Sequence, residues 1–159
     1  MTAFFVILER ERVQMERAFA EIVESWLREE EGYRRFMYLD TVGVPTIGYG
    51  RNLKDVGINP VEAGVLLRND MQSALMVAES FRWFNALSDL RKAVITDMIF
   101  NMGRLRFKLF KKMILAVAAK DYSGAAREML DSKWAKQVGD RANKLAYVMV
   151  NDKERPRER

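Results

Sequence analysis

The sequence predicts an α+β protein: a small antiparallel β-hairpin segment attached to a larger helical part. Three observations predict it. An apolar pattern at alternating spacings of 3 and 4, free of Gly and Pro, runs from Phe4 to Glu30. Four glycines and Pro45 then punctuate a β-branched and aromatic stretch between Tyr33 and Ile58. From Asn59 onward, helix start and stop signals organise the chain. A chain of 159 residues suits one domain or one domain divided into two lobes. At this size roughly 68–70% of the unfolded surface is buried, so no covalent staple is needed.

The first helix carries Phe5, Leu8, Arg12, Met15, Phe19, Ile22 and Trp26 as a heptad seam broken only by Arg12. The seam is expected to pack within its own domain, with self-association and an amphipathic membrane contact as the other uses. Gly32 ends this helix. Val42-Gly43-Val44 and Ile47-Gly48-Tyr49-Gly50 then read as turns joining short strands, too few to fold alone. Asn59-Pro60-Val61-Glu62 supplies an N-cap, a proline at the first helical position and a capping-box Glu for a helix reaching about Ser80. Ser88 caps a further helix ending at Gly103, with Leu90, Val94, Ile95, Met98 and Ile99 on one face. Helices are also expected over about 109–120, 123–132 and 141–150, and a basic disordered tail over 151–159.

Composition narrows the chemistry. With no histidine and no cysteine, a Ser-His-Asp triad, a Cys-His nucleophile, an ordinary zinc site and a disulfide are all excluded. Acid–base work therefore falls to carboxylates, and no metal or cofactor is expected. The apolar run Ala3 to Leu8 lacks a basic segment before it and is too short to span a bilayer. No signal peptide is expected, and cytoplasmic storage follows as the expectation. The net charge of +5 is uneven. Residues 1–50 hold 6 basic and 9 acidic side chains, and residues 101–159 hold 15 and 7. The basic C-terminal part implies an anionic partner: nucleic acid, a membrane surface or an acidic wall polymer. No DNA-reading motif accompanies it, so nucleic acid is not expected as a partner.

Glu31, at the end of the first helix, and Asp40 and Thr46, on the hairpin segment, form the chemical constellation. Two carboxylates from different elements are what glycosidic cleavage needs. One protonates the leaving oxygen, and the other stabilises the oxocarbenium-like transition state or activates water. A hydroxyl such as Thr46 can hold that water.

With these residues the sequence resembles the phage T4-type lysozymes, glycoside hydrolases that cut peptidoglycan. Glu31, Asp40 and Thr46 meet the family's spacing of Glu, eight residues, Asp, five residues, Thr. The runs Thr46-Ile47-Gly48-Tyr49-Gly50, Asp97 to Gly103, Ser132-Lys133-Trp134 and Asp140-Arg141-Ala142 are similar to later family motifs, so that the resemblance covers about residues 22–150.

The resemblance implies a two-lobed lysozyme-like fold with residues 1–21 as an N-terminal helical extension continuous with the first helix. Residues 22–150 would be the lysozyme domain, with a β lobe over about 33–58 and a helical lobe over 59–150. It further implies Glu31 as general acid, Asp40 as second carboxylate and Thr46 as water-positioning hydroxyl. Asn52, Phe100 and Asn101 would contact sugar, and Arg141 would position Glu31. Arg51 replaces a histidine common in the family, and an Arg51–Asp70 ion pair is expected in its place. Trp134, Met98 and Met102 read as core. The implied activity is hydrolysis of the β-1,4 bond between N-acetylmuramic acid and N-acetylglucosamine by an endolysin stored in the host cytoplasm and released through a holin. A virion-associated or weakly catalytic peptidoglycan-binding protein with the same fold is the alternative.

Overall fold

A computed structural model describes residues 2–155, and the side chains from residue 13 onward. The side chains of Phe5, Leu8 and Arg12 of the expected seam, and the end of the expected tail from residue 156, lie outside what is described. Seven α-helices and three strands occur among the described residues. The chain divides into two compact units, Met1–Glu62 and Ala63–Arg159.

The first unit opens with α1 (Thr2–Glu31), which stops at Gly32, a residue with a φ of 61°. Strands β1 (Arg34–Leu39), β2 (Pro45–Gly48) and β3 (Arg51–Asn52) follow as an antiparallel sheet in the order β1-β2-β3. Tyr38 pairs with Thr46, and Thr46 in turn with Asn52, so the middle strand carries Thr46 between both neighbours. Both expected turns are present. Among the described side chains of this unit, Thr46 alone is buried, at 4% exposure. Met15, Phe19, Ile22 and Trp26 along α1 are exposed.

Helix α2 (Pro60–Glu79) starts as its capping box dictates. Asn59 Oδ1 accepts from the backbone N–H groups of Val61 and Glu62, and Glu62 Oε2 accepts from the Asn59 N–H at 2.8 Å. Glu62 is also clasped by Arg51, whose Nη1 and Nη2 donate to Oε1 and Oε2 at 2.8 and 2.7 Å. The Arg51 Nε donates to the Gly57 carbonyl. This corrects the expected Arg51–Asp70 pair: the capping box places the Glu62 carboxylate where it takes a bidentate pair from Arg51.

The second unit holds the hydrophobic core. Helix α3 (Asp89–Phe107) buries Val94, Ile95, Met98, Ile99 and Met102, against which α4 (Lys111–Ala118), α5 (Tyr122–Leu130), α6 (Lys133–Val138) and α7 (Asp140–Asn151) assemble. Ser88 caps α3 as expected. Gly103, at φ 77°, kinks the helix and one further turn follows it, rather than the helix ending there. The short α6 is additional to the expected helices; its cap is Ser132, which accepts from the Ala135 N–H. At the far end, Asn151 still belongs to α7 and Asp152 is fixed by Ser88 and Arg91, so the ordered chain extends beyond residue 150.

Candidate active site

Glu31, Asp40, Thr46 and Asn52 all belong to the first unit; Phe100, Asn101 and Arg141 belong to the second. Each group has a defined local structure.

Glu31 is the last residue of α1, where the helix gives way to Gly32. Its carboxylate lies against Gly50, close enough that a Cβ on Gly50 would stand 2.6 Å from Oε2. Gly50 also has a φ of 69°, so both the close approach and the backbone conformation demand glycine. Glu31 closes an apolar groove of about 570 Å³, lined also by Phe19, Val23, Leu27, Arg28 and Tyr49. Arg28 donates to the Tyr49 hydroxyl at 2.8 Å and stands 4.8 Å from the centre of its ring, while Glu24 takes two further guanidinium donors. Tyr33 packs on Tyr49 with ring centroids 5.5 Å apart. Sequence reasoning missed Tyr49 as part of this wall, although it stands between Gly48 and Gly50 of the quoted motif.

Asp40 sits at the mouth of the β1–β2 turn. Its Oδ1 accepts from the N–H groups of Val42 and Val44 at 2.9 and 2.8 Å, while Oδ2 takes no hydrogen bond among the described residues. One carboxylate oxygen is thus anchored by the turn and the other is left for a ligand or water. Thr46 Oγ1 donates to the Val44 carbonyl at 2.9 Å, which fixes the hydroxyl as an acceptor toward anything else. Asp40 and Thr46 are therefore tied to one residue, Val44. Asn52 shapes the chain after β3. Its Oδ1 accepts from the Lys54 and Asp55 N–H groups, and its Nδ2 donates to Asp55. The second Nδ2 hydrogen takes no acceptor among the described residues.

In the second unit, Phe100 and Asn101 are neighbours in sequence but serve different cavities. Phe100, 40% exposed, lines a hollow of about 300 Å³ with Asp70, Val77 and Arg104. Asn101 lines a larger cavity of about 850 Å³ with Arg106, Phe110, Lys133, Trp134 and Gln137. The Asn101 Oδ1 accepts from the indole N–H of Trp134 at 2.8 Å, which turns its Nδ2 away from the indole as a free donor. Trp134 is core, as expected, together with Met98 and Met102, and its polar end completes this pair. Arg141 Nε and Nη2 each lie 2.9 Å from Asp97 Oδ1. Asp97 was not singled out by role from the sequence, although it opens the quoted motif Asp97 to Gly103.

The phage lysozyme family model matches residues 28–151. A protein named probable T4-type lysozyme 1, from Dictyostelium discoideum, is 27% identical over 157 residues, covering 80% of this chain and 92% of its own length. The pre-baseplate central spike protein Gp5 of Enterobacteria phage T4 is 27% identical over 154 residues, 78% of this chain and 27% of that protein. The endolysin of Salmonella phage P22 is 31% identical over 113 residues, 65% of this chain and 75% of that one. The family match reaches from three residues before Glu31 to the end of α7 and includes Glu31, Asp40, Thr46, Asn52, Phe100, Asn101 and Arg141. The chain accordingly belongs to the phage lysozyme family, as a glycoside hydrolase acting on peptidoglycan.

Proposed function

We propose that this chain is an endolysin muramidase that hydrolyses the β-1,4 bond between N-acetylmuramic acid and N-acetylglucosamine and thereby lyses the host. The observation that carries the reading is the pairing, within one unit, of a helix-end carboxylate seated on Gly50 with a turn-anchored carboxylate that keeps one oxygen free. Glu31 donates its proton to the glycosidic oxygen as the bond to the anomeric carbon breaks. Water adds to that carbon from the opposite face, and its proton passes to the free Oδ2 of Asp40. Thr46 accepts a hydrogen bond from the same water. Asn52, Phe100 and Asn101 contact the glycan through their remaining donors and the exposed ring. Arg141, whose guanidinium is paired with Asp97, is assigned the positioning of Glu31 on the family resemblance. Storage in the host cytoplasm, release through a holin and self-association along the exposed α1 seam belong to the same proposal.

The test is product analysis. Purified peptidoglycan digested by the protein is reduced with borohydride and hydrolysed. Reduced muramic acid at the new ends supports the reading, and reduced glucosamine in its place contradicts it. The similarity to a phage spike protein favours a second reading, a virion-associated hydrolase. Antibody detection in purified particles would support this second reading, whereas detection only in the soluble lysate supports the endolysin.

A further inference from the structure

The segment following the Gly103 kink has two apolar sets with opposite fates. Phe107, Met113 and Val117 are essentially fully buried and pin the segment to the core. Leu105, Leu109 and Leu115 are 81%, 74% and 69% exposed, and contribute little to folding. Basic residues flank the exposed leucines in the sequence. Arg104, Arg106, Lys108, Lys111, Lys112 and Lys120 fall in a stretch that contains no acidic residue between Asp97 and Asp121. None of the six makes an ion pair among the described residues.

We propose that residues 104–120 form a docking surface for an anionic phospholipid bilayer, with the leucines entering the headgroup–acyl boundary and the basic side chains reaching the lipid phosphates. Charge complementarity alone would also suit an acidic wall glycan. The leucines decide between them. A hydrated glycan offers no apolar phase for side chains this exposed, whereas the bilayer interface does. Lysine and arginine stems lie along such an interface while their heads stay wet. No helix among the described residues is long and apolar enough to cross a membrane, so the contact is superficial. Arg106, Leu109, Lys111 and Lys112 also line the cavity that holds Asn101, so the same stretch borders a candidate glycan contact and would hold it against the membrane face next to the substrate.

The full chain is sedimented with vesicles of phosphatidylcholine containing phosphatidylglycerol, with vesicles of phosphatidylcholine alone, and with purified sacculi. Two variants are compared with wild type: Leu105→Ser/Leu109→Ser/Leu115→Ser, which keeps every charge, and Lys108→Gln/Lys111→Gln/Lys112→Gln, which keeps every leucine. Wild type is expected on the anionic vesicles and not on the neutral ones. Each basic residue near such a surface changes partitioning about fivefold, so the lysine variant should bind about a hundredfold more weakly. The leucine variant should lose at least about tenfold. Circular dichroism melts matching wild type would confirm that both variants fold, as the exposure of the leucines requires; a variant that unfolds would contradict the assigned exposure and with it the proposal. Failure of wild type to bind anionic vesicles would overturn it. So would a leucine variant that binds them as well as wild type, or a loss confined to sacculi, which would make the occupant a glycan.

Discussion

At the scale of single residues, Glu31 depends on what surrounds it. The helix end presents the carboxylate, and Gly50 leaves the space it occupies. Gly50→Ala is therefore expected to displace Glu31 and to strain a left-handed backbone position, with activity falling by at least about tenfold and stability by about 1–3 kcal/mol. Assays on peptidoglycan and thermal melts read the two effects separately. Asn101→Ala would leave the buried Trp134 indole N–H without its acceptor, at a cost of about 1–3 kcal/mol. If Asn101 also contacts glycan, KM should rise beyond what the melt explains. Glu31, Asp40 and Thr46 could be singled out as candidates because the family's spacing is a local pattern in the sequence. Tyr49 and Asp97 could not, since what matters about them is a partner 21 or 44 residues away that no local pattern announces.

Caps and cross-links decide the elements. The Asn59–Glu62 capping box could be read directly from four consecutive residues, and it formed as expected. The Arg51 partner could not. The same carboxylate that caps α2 also receives Arg51, a double use invisible in a linear motif. The Glu62 carboxyl is held below its ordinary pKa first by the Asn59 N–H, with Arg51 adding to it against a desolvation effect. A lowered folded-state pKa means stability that is present above the ordinary Glu range and is lost as pH falls through the folded value. Melting temperature should accordingly decline below about pH 4, and the decline should be shallower in Glu62→Gln.

Arg91 provides the corresponding lock in the second unit. It donates to the Met149 and Val150 carbonyls at the end of α7, pairs with Asp152 and stacks 3.7 Å from the Tyr122 ring centre. These bonds satisfy carbonyls that a helix C-terminus leaves open. Arg91→Ala is expected to cost about 2 kcal/mol, lowering Tm by several degrees in a calorimetric scan. The short α6 escaped sequence reading because Ser132 serves two neighbours: it follows α5 and caps the next helix.

Over the whole molecule, charge and apolar surface are distributed by sequence more plainly than by packing. The surplus of basic residues beyond residue 100 could be counted directly, and it predicts attraction to an anionic envelope. Clearing of permeabilised Gram-negative cells should slow as the screening length falls from about 10 Å at 0.1 M salt to about 3 Å at 1 M. Which leucines would be exposed was not legible. Leu105 and Phe107 are two residues apart in one apolar–basic run and lie on opposite sides of a helical turn, one outward and the other in the core. Which side faces the core is set by packing that the run itself does not show. The family assignment, by contrast, rested on several motifs in order along the chain, and the match over residues 28–151 spans all of them.

The central claim is that Glu31 supplies the proton in peptidoglycan cleavage. Its most direct test is the release of reducing ends from purified peptidoglycan by wild type and by Glu31→Gln, at matched concentration and with melts of both proteins. Glu31→Gln preserves size and hydrogen bonding but has no proton to give. The account predicts a loss of about 10²–10⁴-fold in rate with Tm unchanged. A Glu31→Gln protein that releases reducing ends as fast as wild type would contradict it.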